Sequence, residues 1–411
     1  MHIWLINHYA VPPKYYPLAR QTYFAKNLMA MGHTVTIISA STIHNSNPTL
    51  NLITDGTLWK REQADGIDHV YINCCAYKGN GLSRIKNMYE FAWRLSDVCK
   101  HLEKPDAIVS TSMPPMSCAA GVKLARKYGV KAIAEIADLW PESIIAYDIA
   151  GPYNPAVLYL RKLEKWIYKN ADAVVFTMAG AYDYIKEQNW EKEIPRSKVH
   201  YINNGIDLEQ FDFNKEHFTV QDEDLQNENI FKVVYTGSIR RVNNLGKLLD
   251  VAKLVTNPNV KFLIWGAGDE VPQLQERVAK ERIINVVFKG RVEKKYVPYI
   301  VCKANLNIVH GISSVLSRYG TSNNKIFDYL AAGKPILHDF LIKYNPIIDY
   351  NAGVEVQSGK PEDIAAMVDK LASSSPDVLA GYGKNARAAA KEFDFKVLTE
   401  RLIKLINDIV V

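Results

Sequence analysis

The chain has 411 residues, 48% of them hydrophobic, and a formal net charge of +6, which is too long for one ordinary domain and apolar enough for two buried cores. The charge is uneven but mild: residues 1–203 carry 23 Lys and Arg against 18 Asp and Glu, the remainder 27 against 26, too weak a bias for nucleic acid though compatible with anionic lipid or phosphate. No apolar run is long enough to span a bilayer, and the start MHIWLINHYAVPP lacks a basic leader and a cleavage site, so a cytoplasmic location is expected.

Short β-rich runs alternate with helix-length segments. The first half gives strands at HIWLI, TVTIIS, HVYIN, DAIVS, KAIAEI and DAVVFT, and the second at KVVYT, VKFLIW, NVVF, NLNIV and PILH. Helical patterns such as LARQTYFAKNLMAMG and DIAAMVDKLASS lie between them. Nearly continuous apolar strands in such an alternation predict parallel sheets covered on both faces, in an α/β fold. The pattern occurs twice, with a seam in the polar segment 203–229. It predicts two Rossmann-like domains, 1–203 and 204–394, facing across a cleft, with an amphipathic helix over 395–411 crossing back to the first. The five cysteines are odd in number and have no zinc spacing, so free thiols are expected and no metal.

In chain order, NHYAVPPKYYPLARQ joins the first strand to the first helix and offers His8, Arg20 and Gln21 to a site, although a lone histidine is more often structural. Residues 81–104 mix Arg84, Lys86 and Arg94 with Tyr89, Phe91 and Trp93. Such a helix is more often a packing helix with a solvated face, but it can also lie in a membrane interface. In AEIADLWPES, Glu135 and Asp138 flank a strand end, where Asp138 either touches a substrate hydroxyl or caps the following turn.

VVYTGSIRRVNN places Gly237, Ser238, Arg240 and Arg241 after a strand. A glycine there lets backbone amides approach a ligand, and the arginines can neutralise phosphate; the ordinary reading is a turn with solvated arginines. Gly266 in FLIWGAGDE and Arg291 in FKGRVEKKYVPYI also follow strands, each a weak signal alone. SNNKIFDYLAAGKPIL is the most informative stretch. Ser322, Asn323 and Asn324 can cap a helix whose free N–H groups and positive dipole end favour a diphosphate by about 0.3–1 kcal/mol. Lys325 adds a charge, Thr321 a nearby backbone amide, and Asp328 can accept from two ribose hydroxyls. An acid in the first turn also helps a helix that binds nothing.

The order of these segments resembles the retaining glycosyltransferases of family 4, which have the two-domain GT-B fold. VHYINNGIDLEQF, with Asn204, Gly205 and Asp207, resembles the interdomain signature; DYLAAGKP resembles the end of the acidic motif, and GHTVTIIS the second N-terminal strand. AEIADLWPES is similar to a segment of the subgroup that transfers N-acetyl-fucosamine and related amino sugars in surface-polysaccharide synthesis. The resemblance implies that the second domain binds a UDP-sugar at Gly237, Ser238, Arg240, Arg241, Gly266, Arg291, Thr321, Asn323, Asn324, Lys325 and Asp328. It implies an acceptor in the first domain, a polyprenyl-diphosphate-linked sugar, with Arg20 and Gln21 in contact and Asp138, Glu135 and His8 as catalytic candidates. It implies no metal and no other cofactor, and peripheral docking at the inner membrane face through 81–104. Two departures stand out: Gly320 falls where the first motif acid would be, and Ala137 where the subgroup commonly has arginine. Either Lys247 or Lys325 takes the place of the family's phosphate lysine. A GT-B-shaped nucleotide-sugar epimerase and a non-catalytic sugar-binding protein remain as alternatives.

Overall fold

The computed structural model describes residues 1–12, 15, 20–44 and 50–410, so 13–14, 16–19, 45–49 and 411, the last residue of the helix expected over 395–411, lie outside the described residues. Two compact units result: unit 1 is Met1–Asn203 with Phe395–Val411, and unit 2 is Asn204–Asp394.

Unit 1 contains β1 (His2–Ile6), β2 (Thr34–Ala40), β3 (Trp59–Ala64), β4 (Ile67–Ile72), β5 (Ala107–Ser112), β6 (Lys131–Ile136), β7 (Ala173–Phe176) and β8 (Val199–Tyr201). They form one sheet in the order β3-β4-β2-β1-β5-β6-β7-β8. All neighbours are parallel except β3, which pairs antiparallel with β4. The hairpin between those two turns at Asp65 and Gly66, both in the left-handed region (φ 52° and 77°), as a two-residue turn with matched twist requires. Alternate residues build the two faces of the sheet. Ile3, Leu5, Val35, Ile37, Val109 and Ile133 pack with Phe24 and Leu28 of helix Arg20–Ala30 and with Leu398, Leu402 and Ile406 of helix Phe395–Val410. On the other face Trp4 meets Tyr128 edge-on at 5.9 Å, and helices Leu82–Cys99, Pro115–Tyr128 and Pro155–Asn170 lie around a groove of about 470 Å³.

Unit 2 contains β9 (Phe231–Thr236), β10 (Val260–Trp265), β11 (Val286–Gly290), β12 (Leu306–Val309), β13 (Ile336–His338) and β14 (Gly353–Glu355). The sheet is wholly parallel, in the order β11-β10-β9-β12-β13-β14. Its core joins Val233, Tyr235, Phe262, Ile264, Leu306 and Ile308 to the buried stripe Leu245, Leu248, Leu249 and Ala252 of helix Leu245–Leu254.

Candidate functional site

In unit 2 the strand order reverses between β9 and β12, and the crevice outside the carboxyl ends at such a reversal is where doubly wound sheets hold ligands. The loop after β9 begins at Gly237, whose N–H bonds Trp265 O at 3.0 Å. A side chain at Gly266 would put its Cβ 1.8 Å from Gly237 O, so Gly266 is the glycine that lets the two loops touch; its part in the site is to carry the Gly237 loop. Tyr235 Oη donates to Ser238 O (2.9 Å) and accepts from Lys325 Nζ (3.1 Å), and that ammonium lies 4.2 Å from the tyrosine ring centroid. Lys325 has no carboxylate within ion-pair distance among the described residues. Part of its side chain keeps solvent contact, yet burial of the charged end lowers the ammonium to about 8, with Asp339 pulling the other way. An enclosed cation whose bonded partner is neutral is a place for an anion.

Lys325 stands in the first turn of helix Asn324–Ala332. Asn323 caps it, its Oδ1 accepting from Lys325 N at 3.3 Å, and Thr321 Oγ1 in turn accepts from Asn323 N at 3.2 Å. Asp328, one turn in, is 4% exposed. Its Oδ2 accepts from Lys294 Nζ at 2.5 Å, while its Oδ1 is buried with no hydrogen-bond partner among the described residues. A buried carboxylate oxygen left unpaired is costly and points to a missing donor. Lys294 escaped the sequence reading, although it sits three residues beyond Arg291 in FKGRVEKK.

A second buried cluster closes the other side of the loop. His310, after β12, places Nδ1 against Asp339 Oδ2 and Nε2 at 2.8 Å from Asn244 O. The ring is thus held by a polar partner at each nitrogen, which fixes its orientation. Asp339 also accepts from Gly311 N (3.2 Å), and Lys247 Nζ bonds Gly311 O (3.0 Å) while lying 3.7 Å from Asp339 Oδ2. Burial pushes the Asp339 carboxyl up, but His310 and then Lys247 outweigh it and hold the group below the usual carboxylate range. Asn244, in the left-handed conformation (φ 48°), opens helix Leu245–Leu254, so the pair pins the start of that helix beside Gly237. Of the two lysines considered for the phosphate role, Lys247 is tied to this cluster and Lys325 faces the Gly237 loop.

Arg240, Arg241 and Arg291 are exposed and make no ion pair among the described residues. Ser238 Oγ accepts from Asn243 Nδ2 at 2.7 Å. Gly320, at φ 101° and ψ −163°, occupies a region essentially reserved for glycine. Gly320→Glu is therefore expected to cost about 1–3 kcal/mol of stability and not to restore a motif acid, which a denaturant melt reads directly. Unchanged stability with faster turnover would show the opposite.

In unit 1 the structure redirects several expectations. Arg20 donates from Nε to Glu135 Oε1 (2.8 Å) and from its Nη atoms to the carbonyls of Ile202 and Asn203. Gln21 Nε2 and Thr111 Oγ1 both donate to Glu135 Oε2, at 3.1 and 2.9 Å. The network is buried, so Arg20, Gln21 and Glu135 knit β5, β6 and the segment after β8 together instead of presenting acceptor or catalytic groups. His8 is buried too: Nε2 donates to Asn87 Oδ1 at 2.8 Å, and burial, more than any charge, drives the ring down to about 3, a poor value for a base. Asp138 is the exception. Its side chain is exposed and has no partner among the described residues, yet the surrounding protein raises its carboxyl above the usual range. Among the described residues no group of three or more His, Cys, Asp or Glu is placed to hold a metal, and no helix is long and apolar enough to cross a membrane.

Residues 19–205 match the family described as Glycosyl transferase 4-like domain, and residues 230–374 that described as Glycosyl transferases group 1. TuaH of Bacillus subtilis (strain 168), assigned by name to teichuronic acid biosynthesis as a glycosyltransferase, is 25% identical over 66% of this chain and 66% of its own. WbjE of Pseudomonas aeruginosa, also named a glycosyltransferase, is 22% identical over 74% of this chain and 75% of its own. The crystal structure of Anabaena HepE in complex with UDP superposes with a TM-score of 0.66 at 12% identity, covering 99% of this chain and all of that one. The subgroup implied by AEIADLWPES has no counterpart in these names.

Proposed function

From the premise that this chain is a glycosyltransferase of GT-B fold acting on nucleotide sugars in polysaccharide biosynthesis, we propose that unit 2 binds the diphosphate of a UDP-sugar and that the reaction retains anomeric configuration. The observation that carries the donor site is the pairing, one turn apart on one helix, of a cation that has no counter-ion and a carboxylate oxygen that has no donor among the described residues: Lys325 and Asp328. The diphosphate lies between the Gly237 loop and the first amides of helix Asn324–Ala332, where Lys325 and the helix dipole meet its charge. Arg240 and Arg241 swing in from solvent. Asp328 receives the ribose hydroxyls once Lys294 moves off its Oδ2.

No side chain is asked to attack the sugar. The protein orients donor and acceptor and stabilises the departing diphosphate, so that leaving and attack take place on one face. Arg240, Arg241, Lys325 and backbone amides supply the neutralising charge, without a metal. Asp138 is the group we assign to the acceptor hydroxyl or donor sugar. The sugar is an amino sugar and the acceptor a polyprenyl-diphosphate-linked glycan, readings that rest on the likeness of AEIADLWPES to the amino-sugar subgroup. Unit 1 takes that acceptor while lying at the inner face of the membrane. Its helices Leu82–Cys99, Pro115–Tyr128 and Pro155–Asn170 hold ten Lys and Arg against three acids, which suits an anionic leaflet.

Isothermal titration with UDP tests the donor site, and formation of a new glycolipid from UDP-sugars and a lipid acceptor tests the reaction. Arg240→Ala/Arg241→Ala is expected to cut turnover by at least about tenfold, as loss of charged hydrogen bonds to a leaving group should. Normal turnover would assign the phosphates to other groups.

A further inference from the structure

With Arg20 and Gln21 spent inside unit 1, its remaining unsatisfied chemistry lies elsewhere. The unit 1 sheet reverses order at β1, and the loops after β1, β2 and β4, three adjacent strands, bring together Tyr9, His44, Tyr77 and Arg84 at one edge. The rings form a line: Tyr9 and His44 have centroids 5.0 Å apart, and His44 Nδ1 lies 2.8 Å from Tyr77 Oη. Arg84 lies over the Tyr9 ring, 5.4 Å from its centroid. Both Nε and Nη2 of Arg84 donate to the single Tyr9 hydroxyl (3.1 and 2.9 Å), and Nη1 donates to Asn80 Oδ1 (2.6 Å). The fork that normally grips two oxygens of a carboxylate or phosphate is thus parked on one neutral oxygen. Arg84 has no acid partner among the described residues; of the two carboxylates on the same helix, Glu90 is engaged by Lys86 and Arg94, and Asp97 by Lys100.

The same helix carries an exposed apolar stripe at helical spacing: Leu82 (84% exposed), Ile85, Tyr89 and Trp93 (75% exposed). It runs about 16 Å from the Arg84 end to the groove lined by Tyr89, Trp93 and Tyr159, with Lys123 and Lys127 on its wall. A ligand with a doubly charged head and a long apolar tail matches both features at once.

We propose that the Arg84 guanidinium, framed by Tyr9, His44 and Tyr77, is the seat of the acceptor's diphosphate, and that the stripe from Leu82 to Trp93 lies along the apolar chain attached to it. The inference rests on the reading of the chain as a transferase with a lipid-borne acceptor, and adds the residues that recognise that acceptor.

The test is titration of the full chain, with UDP present to occupy unit 2, using farnesyl diphosphate, inorganic pyrophosphate and farnesol as probes. Farnesyl diphosphate is expected to bind, with Arg84→Gln weakening it at least about tenfold and Arg84→Lys, which keeps charge but not the fork, falling between. Trp93→Ser is expected to weaken farnesyl diphosphate several-fold and leave pyrophosphate unchanged. UDP affinity should be the same in all three variants, which separates this site from the donor site: wild-type protein that fails to bind UDP sinks the donor assignment alone. Unchanged farnesyl diphosphate affinity in Arg84→Gln overturns the proposal, as does a loss that appears instead in Arg240→Ala/Arg241→Ala. Pyrophosphate binding as tightly as farnesyl diphosphate overturns the lipid half of it. Thermal melts of Arg84→Gln guard against misfolding, and Arg84→Lys supplies the readout if that variant is unstable.

Discussion

His310→Leu is expected to destabilise the protein by about 3–5 kcal/mol, because it leaves the Asp339 carboxylate buried without its ring partner. Lys247, 3.7 Å away, offsets only part of the loss. The double variant His310→Leu/Asp339→Leu should recover much of it, since removing both members of a buried pair costs less than stranding one. Denaturant unfolding of the four forms gives the coupling, and a coupling near zero would mean that the pair contributes nothing specific. The acid limb gives a second readout. Asp339 is held below its unfolded value, so its contribution to stability is present above about pH 4 and is lost as pH falls through the folded value. That acid-side loss should shrink in His310→Leu. Turnover should fall with stability, because Asn244 and the start of helix Leu245–Leu254 hang on His310 Nε2.

Asp328→Ala is expected to weaken UDP by about 1–3 kcal/mol, roughly 5- to 150-fold, if its carboxylate holds the ribose. The substitution also frees Lys294, and the two effects have opposite signs. A released ammonium facing the nucleotide would tighten binding, whereas loss of the ribose acceptor loosens it, so the direction of the change identifies the partner. Calorimetric titration of UDP against Asp328→Ala and Asp328→Ala/Lys294→Met separates the terms. Affinity unchanged in both removes Asp328 from the nucleotide site.

Most strands legible in the sequence were those buried on both faces. HIWLI, VKFLIW and NLNIV are apolar but for His2, Lys261, Asn305 and Asn307, as strands inside a parallel sheet are. The expectation missed β3, whose sequence WKREQA is polar because an antiparallel edge strand meets water, although the Asp65-Gly66 turn was a usable hairpin signal. It also missed the short edge strands β8 and β14, three residues each, too brief for a period to register. At the site, the cap, the acid and the lysine of SNNKIFDY could be read because they are local to one helix. The pairing of His310 with Asp339, or of Arg20 with Glu135, could not: each joins residues 29 and 115 positions apart that only the strand order brings together. Arg20 and Glu135 looked available for chemistry because a sequence shows a charge without showing what neutralises it.

The interruption of unit 1 by unit 2 bears on how the molecule is made. Phe395, Leu398, Leu402 and Ile406 cover Phe24 and Leu28, yet the ribosome delivers them only after the whole insert Asn204–Asp394 has emerged. The nascent sheet of unit 1 therefore waits with one oily flank bare while the insert is synthesised, and that interval is when a chaperone has something to hold.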